Sequence, residues 1–155
     1  MDETPSSQDQ TQELLTRRVG LALRQMIQSI ETARDRAAKD QNLHPTDFGC
    51  IGYLYRAEGP VSPKQVIAHM GLSSGSGTAL LDRLEQAGYT RRLPNPDDRR
   101  SVLIELDLTQ AAEPVQRYLE IEQLYRGLTE ALSLEELGVI ARFLEQMGTL
   151  TSKIG

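Results

Sequence analysis

The chain has a single cysteine, Cys50, and two histidines, His44 and His69, among 155 residues. One thiol excludes an internal disulfide framework and fits a reducing compartment. With these three residues far apart in sequence, a zinc site is not expected, nor any other metal or cofactor. Long apolar runs are absent too. None approaches the ~18 residues that a membrane span needs, so a transmembrane protein is excluded. The opening stretch from Met1 to Gln12 is polar and acidic, without the basic-then-apolar order of a secretory signal, and a cytoplasmic setting is expected. There is no Gly-rich phosphate loop and no nucleophile elbow. Gly75-x-Gly77 has no strand before it, so it is not a dinucleotide fingerprint. The pair Glu135-Glu136 is explained by helix capping. No catalytic residues are expected and the chain does not read as an enzyme.

Positive charge is also in deficit: 17 Lys and Arg stand against 22 Asp and Glu, a net charge of −5. By itself that balance argues against a nucleic-acid partner, but its distribution is uneven. Residues 62–101 hold Lys64, Arg83, Arg91, Arg92, Arg99 and Arg100 against Asp82, Glu85, Asp97 and Asp98, which is +2, leaving −7 for the rest. Because electrostatic contacts act within a Debye length of about 8–10 Å, a local basic stripe on an acidic body can hold phosphates.

What remains is a soluble composition, 39% apolar and 25% charged, of single-domain length. Residues 1–10 read as a disordered tail. From Thr11 to Lys39, Leu15, Val19, Ala22, Leu23, Met26, Ile30, Ala33 and Ala37 form one stripe of a helix about 43 Å long. That exceeds what a small domain covers alone, so a second subunit is the expected partner. His44-Pro45 opens the next helix, with Phe48, Ile51, Leu54 and Tyr55 at helical spacing, and Gly59-Pro60 ends it. Ser62-Pro63-Lys64-Gln65 is a capping box with proline at N1, starting a short helix with Val66, Ile67 and Met70 inward that Gly71 stops. Ser73 caps a further helix running to Ala87. Tyr89–Leu93 and Val102–Leu106 read as two strands around the turn Pro94–Asp98. Asp107 caps a helix from about Leu108, and Ser133-Leu134-Glu135-Glu136 is the capping box of the last one, with Leu137, Ile140, Ala141, Leu144, Met147 and Thr151 on one face. The fold class is therefore mainly α with one β-hairpin.

A short capped helix, a tight turn at Gly71 and a second helix make a helix-turn-helix, and the hairpin after it is a wing. On the second helix Gly77, Leu80, Leu81, Leu84 and Gly88 cluster on one side, and Ser74, Gly75, Thr78, Ala79 and Asp82 lie opposite. Small side chains let a helix sink into the major groove, hydroxyls can contact bases or phosphates, and a helix N-terminus favours a phosphate. Ser76 is also near this face, although it points partly inward. Ser62 and Lys64 are placed to hold backbone phosphates, though Ser62 is also a plain cap. In the wing, Asp98 two residues before Arg100 can hold that guanidinium in a fixed fork for a narrow minor groove, with Arg99 beside it.

These residues carry a resemblance. Leu72-Ser73-Ser74-Gly75-Ser76-Gly77-Thr78-Ala79-Leu80-Leu81-Asp82-Arg83-Leu84-Glu85, then Gly88, Arg91-Arg92, Pro94-Asn95-Pro96-Asp97-Asp98-Arg99-Arg100 and Val102–Leu106 resemble the multiple-antibiotic-resistance regulator (MarR) family of winged-helix transcription factors. The resemblance spans residues 43–110, and the flanking helices fit it by position and length only. It implies a dimerisation helix at 11–42, a winged helix-turn-helix at 43–107, and C-terminal dimerisation helices at 108–155. It further implies a homodimer, with Leu15, Val19, Leu23, Ile140, Leu144 and Met147 in the dimer contact. Two recognition helices would read a pseudo-palindromic double-stranded operator, with wing arginines in adjacent minor grooves. The chain departs from the family pattern where His44 replaces a capping Thr or Ser, Asp107 a Thr, and Gln110 a Gly. Gly75 and Gly77 weaken the recognition helix by up to ~1 kcal/mol each, and its first turns lack the arginine many members carry.

Many members release DNA when a small, often aromatic or anionic, effector enters the cleft between the dimer and DNA-binding regions. Here the first helix, His44 and Tyr53 would approach that cleft; the plainer reading is that His44 starts a helix and Tyr53 is half-buried packing. Cys50, among Phe48, Ile51 and Leu54, is expected as a buried inert thiol. A rival function is a dimeric winged-helix protein that acts through protein contacts without DNA. The acidic total and the small recognition face support it.

Overall fold

The computed structural model describes residues 7–151. Its elements run α1 (Ser7–Asp40), α2 (Pro45–Arg56), α3 (Pro63–His69), α4 (Ser74–Gln86), β1 (Thr90–Pro94), β2 (Val102–Leu106), α5 (Ala112–Thr129) and α6 (Leu134–Thr151). Two compact units divide between Tyr118 and Leu119, within α5. Residues 112–118 of α5 fall in the first unit, with α1 to α4 and the hairpin.

In the first unit α1 has 34 residues, about 51 Å of helix. It begins at Ser7, so positions 7–10, expected in the tail, are helical; positions 1–6 lie outside the described residues. Thr11 Oγ1 donates to the Ser7 carbonyl at 2.9 Å, and Asp9 places a negative charge in the first turn, where the helix dipole favours it. Only Ala37 and Ala38 of α1 are buried. Their small side chains let the end of α1 lie close on α2. Further back, Leu15 and Val19 are about half exposed, at 51% and 47%.

His44 does cap α2, its Nδ1 accepting from the Thr46 N–H at 3.2 Å. Phe48, Cys50, Ile51 and Leu54 are buried, whereas Tyr55, expected on the same face, is exposed. Gly52 has a specific reason. A Cβ there would collide with the Tyr118 ring, so glycine lets α5 approach α2 closely. Phe48 packs at an angle on that ring, 6.4 Å between centroids, and the Arg56 guanidinium lies 5.5 Å from its centre. Val66, Leu80, Leu81, Leu84, Ile104 and Val115 complete the core.

Both expected caps of the helix-turn-helix are present. Ser62 Oγ accepts from the Gln65 N–H while Gln65 Oε1 accepts from the Ser62 N–H, at 3.3 and 2.9 Å, and Ser73 Oγ accepts from the Ser76 N–H at 3.3 Å. Gly71 makes the turn with φ +63°. Gly77 is required by packing, since a Cβ there would collide with the Ile67 side chain where α3 crosses α4. The hairpin pairs Thr90 with Leu106 and Pro94 with Val102 in antiparallel register. It lies one residue later on the first strand than Tyr89–Leu93. Val61, before α3, adds a bridge to Ile104, with bonds of 3.0 and 2.7 Å.

Asp107 Oδ1 accepts from the Thr109 and Gln110 N–H groups at 3.0 Å each, but what it caps is a turn and not the expected helix. The helix starts later than Leu108, however. Residues 108–111 form a separate turn and α5 begins at Ala112, because Pro114 has no N–H to continue the ladder back into that turn.

The second unit holds the rest of α5 and α6. Ser133 and Glu136 form the expected capping box, Ser133 N–H donating to Glu136 Oε2 at 2.8 Å and Glu136 N–H to Ser133 Oγ at 3.2 Å. The Ser133 N–H, and then the Ser133 hydroxyl donating to Glu136 Oε2 at 2.8 Å, hold the Glu136 carboxyl below its ordinary pKa. No residue of α6 is buried. Ile140 and Leu144 stand exposed, with Val139, Phe143 and Leu150 beside them, and Met147 is half-buried. None of the described helices is long and apolar enough to cross a membrane.

Candidate nucleic-acid interface

The outward face of α4 consists of small residues over its first turns, with Asp82 further along it. Ser74, Gly75, Thr78 and Ala79 are exposed, and nothing lies within 4 Å of a Cβ built on Gly75. Thr78 Oγ1 donates to the Ser74 carbonyl at 2.9 Å, which holds the hydroxyl on the helix but leaves its lone pairs outward. Ser76 turns away from this face. Its Oγ accepts from Ser73 Oγ at 3.1 Å, and it lines an open cavity of about 660 Å³ together with His44, Thr46, Asp47, Leu72, Ala79, Leu80 and Arg83.

His44 therefore lines this cavity, and Tyr53 does not line it. Tyr53 stacks on His69, with centroids 4.0 Å apart and planes 15° from parallel. His44 is the cap before α2 and Tyr53 lies nine positions on, about 13 Å along the axis.

Electrostatics sort the six cations of residues 62–101 into two groups. Arg83 gives two hydrogen bonds to Asp47, at 2.7 and 3.2 Å. Arg91 pairs with Glu105 across the hairpin at 2.5 Å. Arg92 takes both Asp82 and Glu85, at 2.6 and 2.7 Å. Lys64, Arg99 and Arg100 are exposed, and among the described residues none of the three makes a salt bridge. The cations left for a polyanion are thus one at the start of α3 and two at the wing tip. Ser62 is taken up by its capping box, where its Oγ also donates to Gln65 Oε1 at 2.8 Å.

The wing tip is braced by residues that the sequence reading passed over. Asn95 Nδ2 donates to Ser101 Oγ at 2.9 Å, and Asn95 Oδ1 accepts from the Asp97 N–H at 3.0 Å. Ser101 Oγ donates in turn to the Asp98 carbonyl at 3.1 Å. Asp98 does not fork the Arg100 guanidinium. Its Oδ1 accepts from the Arg100 backbone N–H at 3.0 Å, since an aspartate reaches a backbone donor two residues on more readily than the end of a long side chain. The result fixes the backbone of Arg100 and leaves its guanidinium outward. The run Asn95-Pro96-Asp97-Asp98 carried this Asx-turn signal in plain view.

Cys50 is fully buried. Burial, and then the nearby Asp47 carboxylate, push its thiol up to about 12, so it is not a thiolate nucleophile at neutral pH. Among the described residues no group of three His, Cys, Asp or Glu side chains is arranged to hold a metal.

Comparison with known proteins agrees with this architecture. A sequence model of the MarR family matches residues 41–101. The HTH-type transcriptional regulator YcgE of Bacillus subtilis is 41% identical over 95 residues, 61% of this chain and 56% of its own length, so the match spans little more than half of that relative. YwhA, another B. subtilis HTH-type transcriptional regulator, is 32% identical over 115 residues, covering 72% of this chain and 82% of its own. Among solved structures, a point mutant of E. coli MarR complexed with operator DNA has the same fold, with TM-score 0.59 and 24% identity over 83% of this chain and 92% of that one. Winged helix-turn-helix, family motif and relatives coincide: the chain belongs to the MarR family, whose relatives found here are transcriptional regulators and not enzymes.

Proposed function

We propose that this protein is a cytoplasmic homodimeric transcriptional regulator, most simply a repressor, that binds a pseudo-palindromic double-stranded operator. The observation that carries the reading is the sorting of charge. On an acidic body, Lys64, Arg99 and Arg100 stand exposed without ion pairs among the described residues, on the helix-turn-helix and its wing. In this reading Ser74, Gly75, Thr78 and Ala79 line the major groove, Lys64 and the Ser62 end of α3 meet phosphates, and Arg99 and Arg100 reach the minor groove. The likeness to the fold of MarR, solved with operator DNA, supports the same mode. The second copy is argued from apolar surface. Leu15 and Val19 on α1, and Ile140 and Leu144 on α6, are too exposed for a lone subunit in water.

The open cavity that His44 and Arg83 line, directly against the back of α4, supports a small aromatic or anionic effector as the ligand of this site. Ser76 and Ala79 belong to both the cavity and the helix that would read DNA, so occupancy there would bear on binding.

The alternative, a dimer acting through protein contacts alone, draws on the net charge of −5 and on an outward face of α4 with no unpaired cation. Fluorescence anisotropy on fragments upstream of the protein's own gene, at two salt concentrations and with mass-resolved stoichiometry, separates the two. Salt-sensitive binding of one dimer per site is expected. Failure on those fragments, and on duplexes enriched from a random pool, would leave the protein-contact reading.

A further inference from the structure

One carboxylate stands on the outward face of α4. Asp82 follows Thr78 by four residues and Gly75 by seven, so it shares their stripe. Glu85 lies three residues further on. In the DNA-binding reading above, on which this inference rests, that stripe meets a phosphate-lined groove, where both acids oppose association.

A single side chain answers both. From β1, Arg92 directs Nη2 to Asp82 Oδ1 at 2.6 Å and Nη1 to Glu85 Oε2 at 2.7 Å. Its neighbour Arg91 points to the other face of the hairpin, as strand alternation requires, and pairs with Glu105. The three side chains of the cluster are 36%, 46% and 38% exposed. At that exposure the pairs contribute little to stability, so fold maintenance is a poor reason for spending a wing arginine there. With both ends of its guanidinium engaged, Arg92 is also the wing cation least able to meet a phosphate.

We infer that Arg92 is an electrostatic shield of the recognition helix: it masks Asp82 and Glu85 from DNA phosphates and sustains affinity without gripping a phosphate itself. It is a positioning residue for charge, and its partners determine whether it is needed.

Four proteins test this: the wild type, Arg92→Gln, Asp82→Asn/Glu85→Gln, and the triple variant. Anisotropy is read on a labelled duplex from the upstream region of the gene and on a mixed-sequence duplex of equal length, across a salt series. Circular dichroism melts check that each variant is folded. Arg92→Gln is expected to bind about tenfold more weakly at low salt, because like charges then face each other. The triple variant is expected to return to within about twofold of the wild type, because the acids that needed masking are gone. A triple variant as weak as Arg92→Gln would overturn the shield and assign Arg92 to a phosphate contact or to bracing the wing. Undiminished binding by Arg92→Gln would overturn it as well, since the acids would then not face the DNA. A wild type that binds neither duplex would overturn the DNA reading itself, and the shield with it, a result visible before any substitution is compared.

Discussion

The Arg83 guanidinium clamps the Asp47 carboxylate with two hydrogen bonds, 2.7 and 3.2 Å, across 36 residues of sequence. This links the first turn of α2 to the back of α4. The pair is lopsided, with the Asp47 side chain 9% exposed and that of Arg83 49%. Asp47 depends on its partner for solvation, and Arg83 does not.

Arg83→Ala should therefore destabilise more than Asp47→Asn. Leaving a buried carboxylate unpaired costs about 2–3 kcal/mol, whereas a half-exposed arginine released from its partner finds water and loses about 1 kcal/mol or less. Urea unfolding midpoints of the two variants check the order. Equal losses would mean that Asp47 reaches water in the folded state.

The two glycines of the recognition helix should respond to alanine in opposite directions. Gly75→Ala adds a methyl into open space and should stabilise the helix by up to about 1 kcal/mol. Gly77→Ala drives a Cβ into Ile67 and should destabilise by about 1–3 kcal/mol. Thermal melts of the two variants side by side give the sign directly.

Much of this was legible because it is local. His44, Ser62, Ser73 and Ser133 each announce a cap within four residues of the backbone they serve, and each caps where expected, whereas Asp107 caps a turn that precedes α5. The β-branched, mostly apolar run Val102–Leu106 marks the strand directly. What failed needed distance or choice between donors. The pairs Arg83–Asp47 and Arg92–Asp82 depend on which elements pack together, so a count of charges does not tell which arginines are engaged. The bridge from Val61 to Ile104 has no local signature at all. At Asp98 the competing acceptor geometry was close by but misjudged, as a backbone N–H was nearer than a guanidinium. Tyr53, offered either as a cleft residue or as half-buried packing, stacks on His69, a partner that its own stretch of sequence does not announce.

Cys50 adds a pH dependence with a definite sign. Its folded-state pKa is raised from 9.0 to about 12, so the folded state holds the proton more tightly than the unfolded chain. Below pH 9 both states are protonated and the thiol costs nothing. Between pH 9 and about 12 the unfolded state ionises first, and stability falls. Comparing Cys50→Ala with the wild type in denaturant titrations over this range isolates the effect: the gap between them should shift against the wild type as pH rises. At pH 7 to 8 a thiol reagent should modify the native protein only at the rate at which it opens.

The claim at the centre is that Lys64, Arg99 and Arg100 are the cations available to DNA phosphates, and the salt dependence of binding tests it most directly. The slope of log K against log salt is measured for the wild type and for Lys64→Ala, Arg99→Ala and Arg100→Ala on one duplex, with Arg91→Ala as the ion-paired control. If the claim holds, each of the three substitutions lowers the slope by about one unit and weakens binding on every sequence, and Arg91→Ala leaves the slope in place. Unchanged slopes at Lys64, Arg99 and Arg100 would contradict it.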